Sequence, residues 1–81
     1  MNYSTYILKS EITGKHYYGH TADLAKRLKN HNAKKVRSTK AYVPWVVHYY
    51  ETFNTKSEAY KRELFFKSID GYKWLKSEGI T

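Results

Sequence analysis

Five side chains in this sequence have types that could share one reaction: the phenols of Tyr6 and Tyr17, the guanidinium of Arg27, the imidazole of His31 and the carboxylate of Glu63. A guanidinium offers a planar fork of donors to phosphate oxygens. A phenol or an imidazole can move a proton. One carboxylate can anchor a hard cation such as Mg²⁺, which prefers oxygen ligands and keeps several waters. The chain carries 15 Lys and Arg against 7 Asp and Glu, a formal charge of +8. Together these groups suit the cleavage of a phosphodiester, which needs an activated water, neutralised charge on the phosphate and help for the leaving oxygen. Each residue also has a plainer reading. Tyr6 and Tyr17 are two of nine tyrosines and could be ordinary sheet residues. Arg27 could be a surface arginine. Glu63 could do no more than pair with Lys67 at i, i+4, worth about 0.2–0.5 kcal/mol. His31 fits a core-edge histidine as well as a catalyst.

The elements that must position these groups can be read from the pattern. Residues 3–9 are rich in β-branched and aromatic types and predict a strand. A turn at Glu11-Ile12-Thr13-Gly14 and a second strand at 16–20 make a hairpin. Thr21 or Asp23 can cap a helix running to about Asn32. Leu24, Leu28 and His31 form its inner stripe, and Arg27 lies one turn before His31. Residues 33–43 hold Lys34, Lys35, Arg37 and Lys40 with little periodicity and read as a basic loop with room for a short helical turn. Pro44 suits a strand start, and 45–51 is the clearest strand. Thr55-Lys56-Ser57-Glu58 is a capping-box pattern opening a helix from Ser57 to about Ser68, with Glu63 at the border of its apolar face. A last short helix covers about 70–77. The fold class expected is α+β: a small three-stranded antiparallel sheet flanked by helices, in the order β-β-α-β-α-α.

Composition narrows the class further. A chain of 81 residues suits one domain spanning 1–81. Such a domain must build its core from few, large side chains. The 17% aromatic content supplies them and argues against disorder. A pI near 9.7 is the electrostatic footprint expected of a nucleic-acid partner. The absence of cysteine excludes a disulfide framework, a disulfide-linked partner and thiolate zinc sites. His16, His20 and His48 show no zinc-ligand spacing. No apolar run approaches a membrane span and no signal-peptide pattern opens the chain, so the compartment expected is the cytoplasm.

The ordered set Tyr6-Ile7-Leu8, Tyr17-Tyr18-Gly19, Thr21-x-Asp23-Leu24-x-x-Arg27-Leu28-x-x-His31-Asn32 and Glu58-Ala59-x-x-x-Glu63-x-x-x-Lys67 resembles the GIY-YIG nuclease domain. The resemblance covers roughly residues 3–68. It is nearest to the small stand-alone bacterial members related to the nuclease domain of the excision-repair incision enzyme. Ser4-Thr5 stand where the first motif has Gly-Ile, and Tyr18 replaces the middle Ile of the second. The resemblance implies a divalent-metal-dependent endonuclease acting on DNA, including branched or damaged DNA in repair. RNA is a second partner that the charge alone does not separate from DNA. The implied cofactor is Mg²⁺ or Mn²⁺ on Glu63. Arg27 would hold phosphate and Tyr17 would act as general base or orient the water. Tyr6 would bond the phosphate or water beside it, and His31 would accept a proton or bind phosphate. A phenol titrates near 10 in water, so a basic phenol needs cations nearby.

The basic loop extends the same reading. Lys34, Lys35, Arg37 and Lys40 follow the helix bearing Arg27 and His31 and are expected to track a nucleic-acid backbone, with Tyr42 and Trp45 as stacking platforms. Two competing functions remain open on the sequence: a non-catalytic nucleic-acid-binding module, and a protein-interaction adaptor on the same scaffold.

Overall fold

A computed structural model describes residues 2–81. Three strands, β1 (Tyr3–Ser10), β2 (His16–Thr21) and β3 (Trp45–Phe53), form an antiparallel sheet in the order β2-β1-β3. Three helices complete the chain: α1 (Leu24–Asn32), α2 (Lys56–Lys67) and α3 (Ile69–Ser77). The order β-β-α-β-α-α is the one the sequence pattern predicts.

β1 is the central strand, and its run Thr5, Tyr6, Ile7, Leu8 is buried throughout. A strand covered on both faces loses the alternation of a half-exposed one. Successive residues still point to opposite faces. Tyr6 and Leu8 join Trp45, and Tyr17, Leu24, Leu28 and Val47 pack against them on the α1 side. Ile7 joins Phe66 and Leu75, and Tyr18, Tyr49, Phe65 and Trp74 pack against them on the α2–α3 side.

Local chemistry sets the joints. Gly14 takes φ +75 in the hairpin turn, where Ser10 Oγ also accepts from the amides of Ile12 and Thr13. Asp23 caps α1 by accepting from the Lys26 amide. Thr55 caps α2 by accepting from the Glu58 amide at 3.2 Å, and its hydroxyl donates to the Glu58 carboxylate at 2.9 Å. Ser68 ends α2 and caps α3. Asn32, the last residue of α1, clamps the start of β3: its side-chain oxygen accepts from the Trp45 amide at 2.6 Å and its side-chain amide donates to the Trp45 carbonyl at 2.9 Å.

Two details complete the pattern. The loop 33–43 contains a short 3₁₀ turn, Lys40–Tyr42. β3 carries a bulge: Ile7 faces Tyr49 while Leu8 faces Val47, so His48 is the extra residue.

Candidate active site

The pairing of β1 with β2 sets Tyr6 directly opposite Gly19. The phenol of Tyr6 then lies across Gly19. A Cβ on that glycine would stand 2.5 Å from the Tyr6 hydroxyl oxygen and 2.6 Å from Cζ. The bare Cα of Gly19 thus makes room for this phenol.

Helix α1 meets it from above. Arg27 Nε donates to the Tyr6 oxygen at 3.4 Å, and Tyr6 lies 3.3 Å from His31 Nε2. His31 Nδ1 lies 2.8 Å from Thr39 Oγ1, and the Thr39 hydroxyl donates to the Val36 carbonyl at 3.3 Å. With a neutral imidazole, one arrangement of protons satisfies all four of these bonds. Thr39 spends its proton on Val36 and accepts from His31 Nδ1–H. Nε2 therefore carries the lone pair and accepts the Tyr6 proton, while Tyr6 accepts from Arg27. Tyr6, His31 and Thr39 are all buried, so the chain of bonds is shielded from water.

The electrostatics agree with that wiring. Burial, aided by the Arg27 charge, pushes His31 down to about 4, so it is a neutral imidazole near pH 7. Burial raises Tyr6 above the ordinary phenol value against the opposing pull of Arg27. The bond to Tyr6 holds Arg27 above its ordinary value. Tyr6 is thus a fixed, protonated hydroxyl. Tyr17 is half-buried on the same side, its ring 4.9 Å from that of His31 and 6.4 Å from that of Tyr6. Its neighbour Tyr18 faces the other way, against Phe66.

Glu63 comes from the opposite face of the sheet. It is 8% exposed on α2, and its two oxygens are held by His20 Nδ1 at 2.6 Å and Lys67 Nζ at 2.7 Å. Burial alone would raise its pKa, but the bonds from Lys67 and His20 outweigh burial and hold the carboxyl below the usual range. Its negative charge is felt at the Tyr6 phenol, which it helps to raise. The two clusters flank β2 at adjacent residues, one against Gly19 and the other bonded to His20.

Among the described residues no three His, Asp or Glu side chains gather to cage a metal. The donor chemistry at Glu63 instead fits a hard ion held through one carboxylate, with water and substrate phosphate completing its shell. Such an ion would compete for the carboxylate oxygens with His20 and with Lys67, whose side chain is half exposed.

Lys34, Lys35, Arg37 and Lys40 are exposed on the segment that Thr39 ties to His31. The expected stacking platform at Trp45 is not one. Trp45 is 3% exposed, belongs to the core, and donates its indole N–H to the Thr39 carbonyl. Tyr42 is half-buried with the Lys15 ammonium 4.5 Å from its ring centre.

Two members of the site escape the motif pattern. His20 is legible only through strand alternation, which puts it on the face of Tyr18 and hence of α2. Thr39 carries no periodic signal at all, because the segment that holds it is irregular.

Comparison with known proteins bears on this arrangement. Residues 2–72 match the family model of the GIY-YIG catalytic domain. A UPF0213 protein of Staphylococcus saprophyticus is 42% identical over 77 residues, covering 91% of this chain and 93% of that protein. One from Bacillus licheniformis is 44% identical over 57 residues, which are 69% of this chain but only 59% of that longer relative. The solution NMR structure of a UPF0213 protein from Bacillus halodurans is similar at a TM-score of 0.55 and 31% identity, covering 95% of this chain and 84% of that one. The names of these relatives state no reaction. Matched along most of its length and folded in the same order of elements, the chain belongs to the GIY-YIG catalytic domain family.

Proposed function

We propose that this domain is a divalent-metal-dependent endonuclease that hydrolyses DNA phosphodiester bonds. The reading rests on one observation: a phenol wired to a guanidinium and a neutral imidazole lies against Gly19 of β2, and a single buried carboxylate is bonded to the next residue of that strand, His20. A phosphate at that junction would take the terminal N–H groups of Arg27 while Nε stays on Tyr6. The Tyr6 hydroxyl, held in place by His31, would fix one oxygen of the phosphate or of the attacking water. Tyr17 is the less enclosed phenol, and in this reading it orients that water and, as the phenolate favoured by Arg27 and a bound ion, would accept its proton and become the neutral phenol. His31 serves by holding Tyr6. Mg²⁺ or Mn²⁺ at Glu63 would supply charge neutralisation for the phosphate and the leaving oxygen. Lys34, Lys35, Arg37 and Lys40 would neutralise flanking phosphates, giving affinity that falls steeply with salt and reads little sequence.

Glu63→Gln is the direct test, because the amide keeps the shape and loses the anionic ligand. Metal-dependent nicking of plasmid DNA should be abolished while DNA affinity and melting temperature stay close to wild type. Nicking at the wild-type rate removes Glu63 from the chemistry. A collapsed melting temperature makes its bonds to His20 and Lys67 structural instead.

A further inference from the structure

We propose that the hollow between His20 and the first turns of α2 binds one unpaired nucleobase next to the phosphate being cut, with the ring of Tyr60 as its stacking surface. The proposal rests on the nucleic-acid reading above and names the class of substrate: a strand with an unpaired base beside the cut. The hollow is open to solvent, spans about 550 Å³ and is lined by His20, Lys56, Ser57 and Tyr60. Its surface is mainly apolar, yet its lining reaches the Glu63–Lys67 ion pair through His20. His20 forms one wall and bonds Glu63 at 2.6 Å, and the Tyr60 ring lies 5.4 Å from the His20 ring. Tyr60 is also one turn before Glu63 on α2, and residues so spaced have Cβ atoms about 5–6 Å apart. A nucleotide with its phosphate at Glu63 can therefore lay its own or its neighbour's base on Tyr60.

The exposure of this ring is informative. Tyr60 is 47% exposed, although the chain needs its aromatics for the core. Tyr72, also exposed, has the Lys76 ammonium over its ring. Tyr60 instead faces the hollow, with the cation of Lys56 placed for the next phosphate and the hydroxyl of Ser57 for a base edge. A base can reach it only when out of the stack, and removing a base from the stack costs least where the base is unpaired, mismatched or damaged.

The probe is a DNA duplex with a single bulged 2-aminopurine, whose fluorescence falls when it stacks. Wild-type protein without divalent ion should quench it, and so should Tyr60→Phe, which keeps the ring. Tyr60→Leu should lose the quench and bind the bulged duplex roughly 5- to 100-fold more weakly, with affinity for a fully paired duplex unchanged. Tyr50→Leu, which removes an exposed tyrosine away from the hollow, should behave as wild type. Mg²⁺ is then added and cleavage followed. Cleavage with a quench indifferent to Tyr60 overturns the base site and leaves the nuclease reading standing. A Tyr60-dependent quench without cleavage upholds the base site and overturns hydrolysis. Failure of the wild-type protein to bind either duplex overturns both.

Discussion

The two faces of β1 solve different problems. On the α1 side Tyr6 ends in a buried run of hydrogen bonds, Arg27 to Tyr6 to His31 to Thr39. On the other side Ile7 ends in a pile of apolar and aromatic groups, Phe66, Leu75, Phe65 and Trp74, with the Phe66 and Trp74 rings stacked at 6.3 Å. Even the charge on that second side is absorbed into packing. Arg62 lies 4.6 Å from the Trp74 ring centre and 4.7 Å from that of Phe65 while bonding Glu51 at 2.7 Å. Burying a polar group costs stability unless its partners are present. The difference therefore teaches a division of labour. Each side buries an apolar cluster of its own, and the α1 side in addition holds a run of polar groups dry and in fixed protonation states. Glu63 stands on the helix of the apolar side but at its margin, bonded to His20 of β2.

The sharpest way to exploit that comparison is the pair Tyr17 and Tyr18, chain neighbours on opposite faces. Tyr17→Phe keeps the ring against His31 and Trp45 and removes only the hydroxyl. General-base catalysis is worth about 10²–10⁴ in rate, and single-turnover cleavage at saturating metal should fall by that much. Tyr18→Phe, against Phe66 on the apolar side, should leave the rate nearly unchanged. If Tyr18→Phe is the dead enzyme and Tyr17→Phe the active one, the chemistry belongs on the other face.

This alternation was legible in the sequence because a strand fixes the face of each side chain by parity. The helix ends were legible for a similar reason. Asp23 and the Thr55–Glu58 box satisfy amides only three residues away, so the signal is local. Glu63 could be assigned to the border of an apolar face by helix phase alone. The illegible parts depend on distant partners. His20 becomes a partner of Glu63, 43 positions on, only once α2 lies across β2. Trp45 reads as an exposed aromatic beside lysines until Asn32 clamps β3 and Thr39 receives the indole N–H. The bulge at His48 leaves no mark in a run that alternates well on either side of it.

Acid should damage the polar side first. The unfolded chain protonates His31 near 6.5, whereas the folded chain does so near 4. Unfolding therefore takes up a proton across that window. The contribution is intact above about 6.5 and is lost progressively as pH falls toward 4. At about 1.4 kcal/mol per pH unit of difference, the ceiling is roughly 3 kcal/mol. Chemical denaturation of wild-type protein between these limits should show the decline. His31→Leu should flatten it, because the titrating group is gone. An equal decline in His31→Leu would place the acid sensitivity elsewhere.

Gly19 is where the comparison can be broken with one methyl group. Gly19→Ala puts a Cβ into the Tyr6 phenol at a separation that no real contact tolerates. The phenol is the far end of a side chain, which would ordinarily swing away. Here Arg27 and His31 hold it and the surroundings are closed, so relief requires giving up those bonds or moving β2. Overpacking of a buried site typically costs about 1–3 kcal/mol, and denaturant midpoints should fall accordingly without a change in slope. The two faces should then respond unequally. A displaced Tyr6 frees His31 Nε2 and loosens Arg27, so cleavage should drop by more than the stability loss alone explains at temperatures where the variant is folded. Tyr18 and Phe66, across the sheet, should keep their packing, which aromatic ring shifts in NMR spectra would report. If Gly19→Ala melts and cleaves like wild type, the phenol is free to move, and the fixed junction across β2 is not what organises this site.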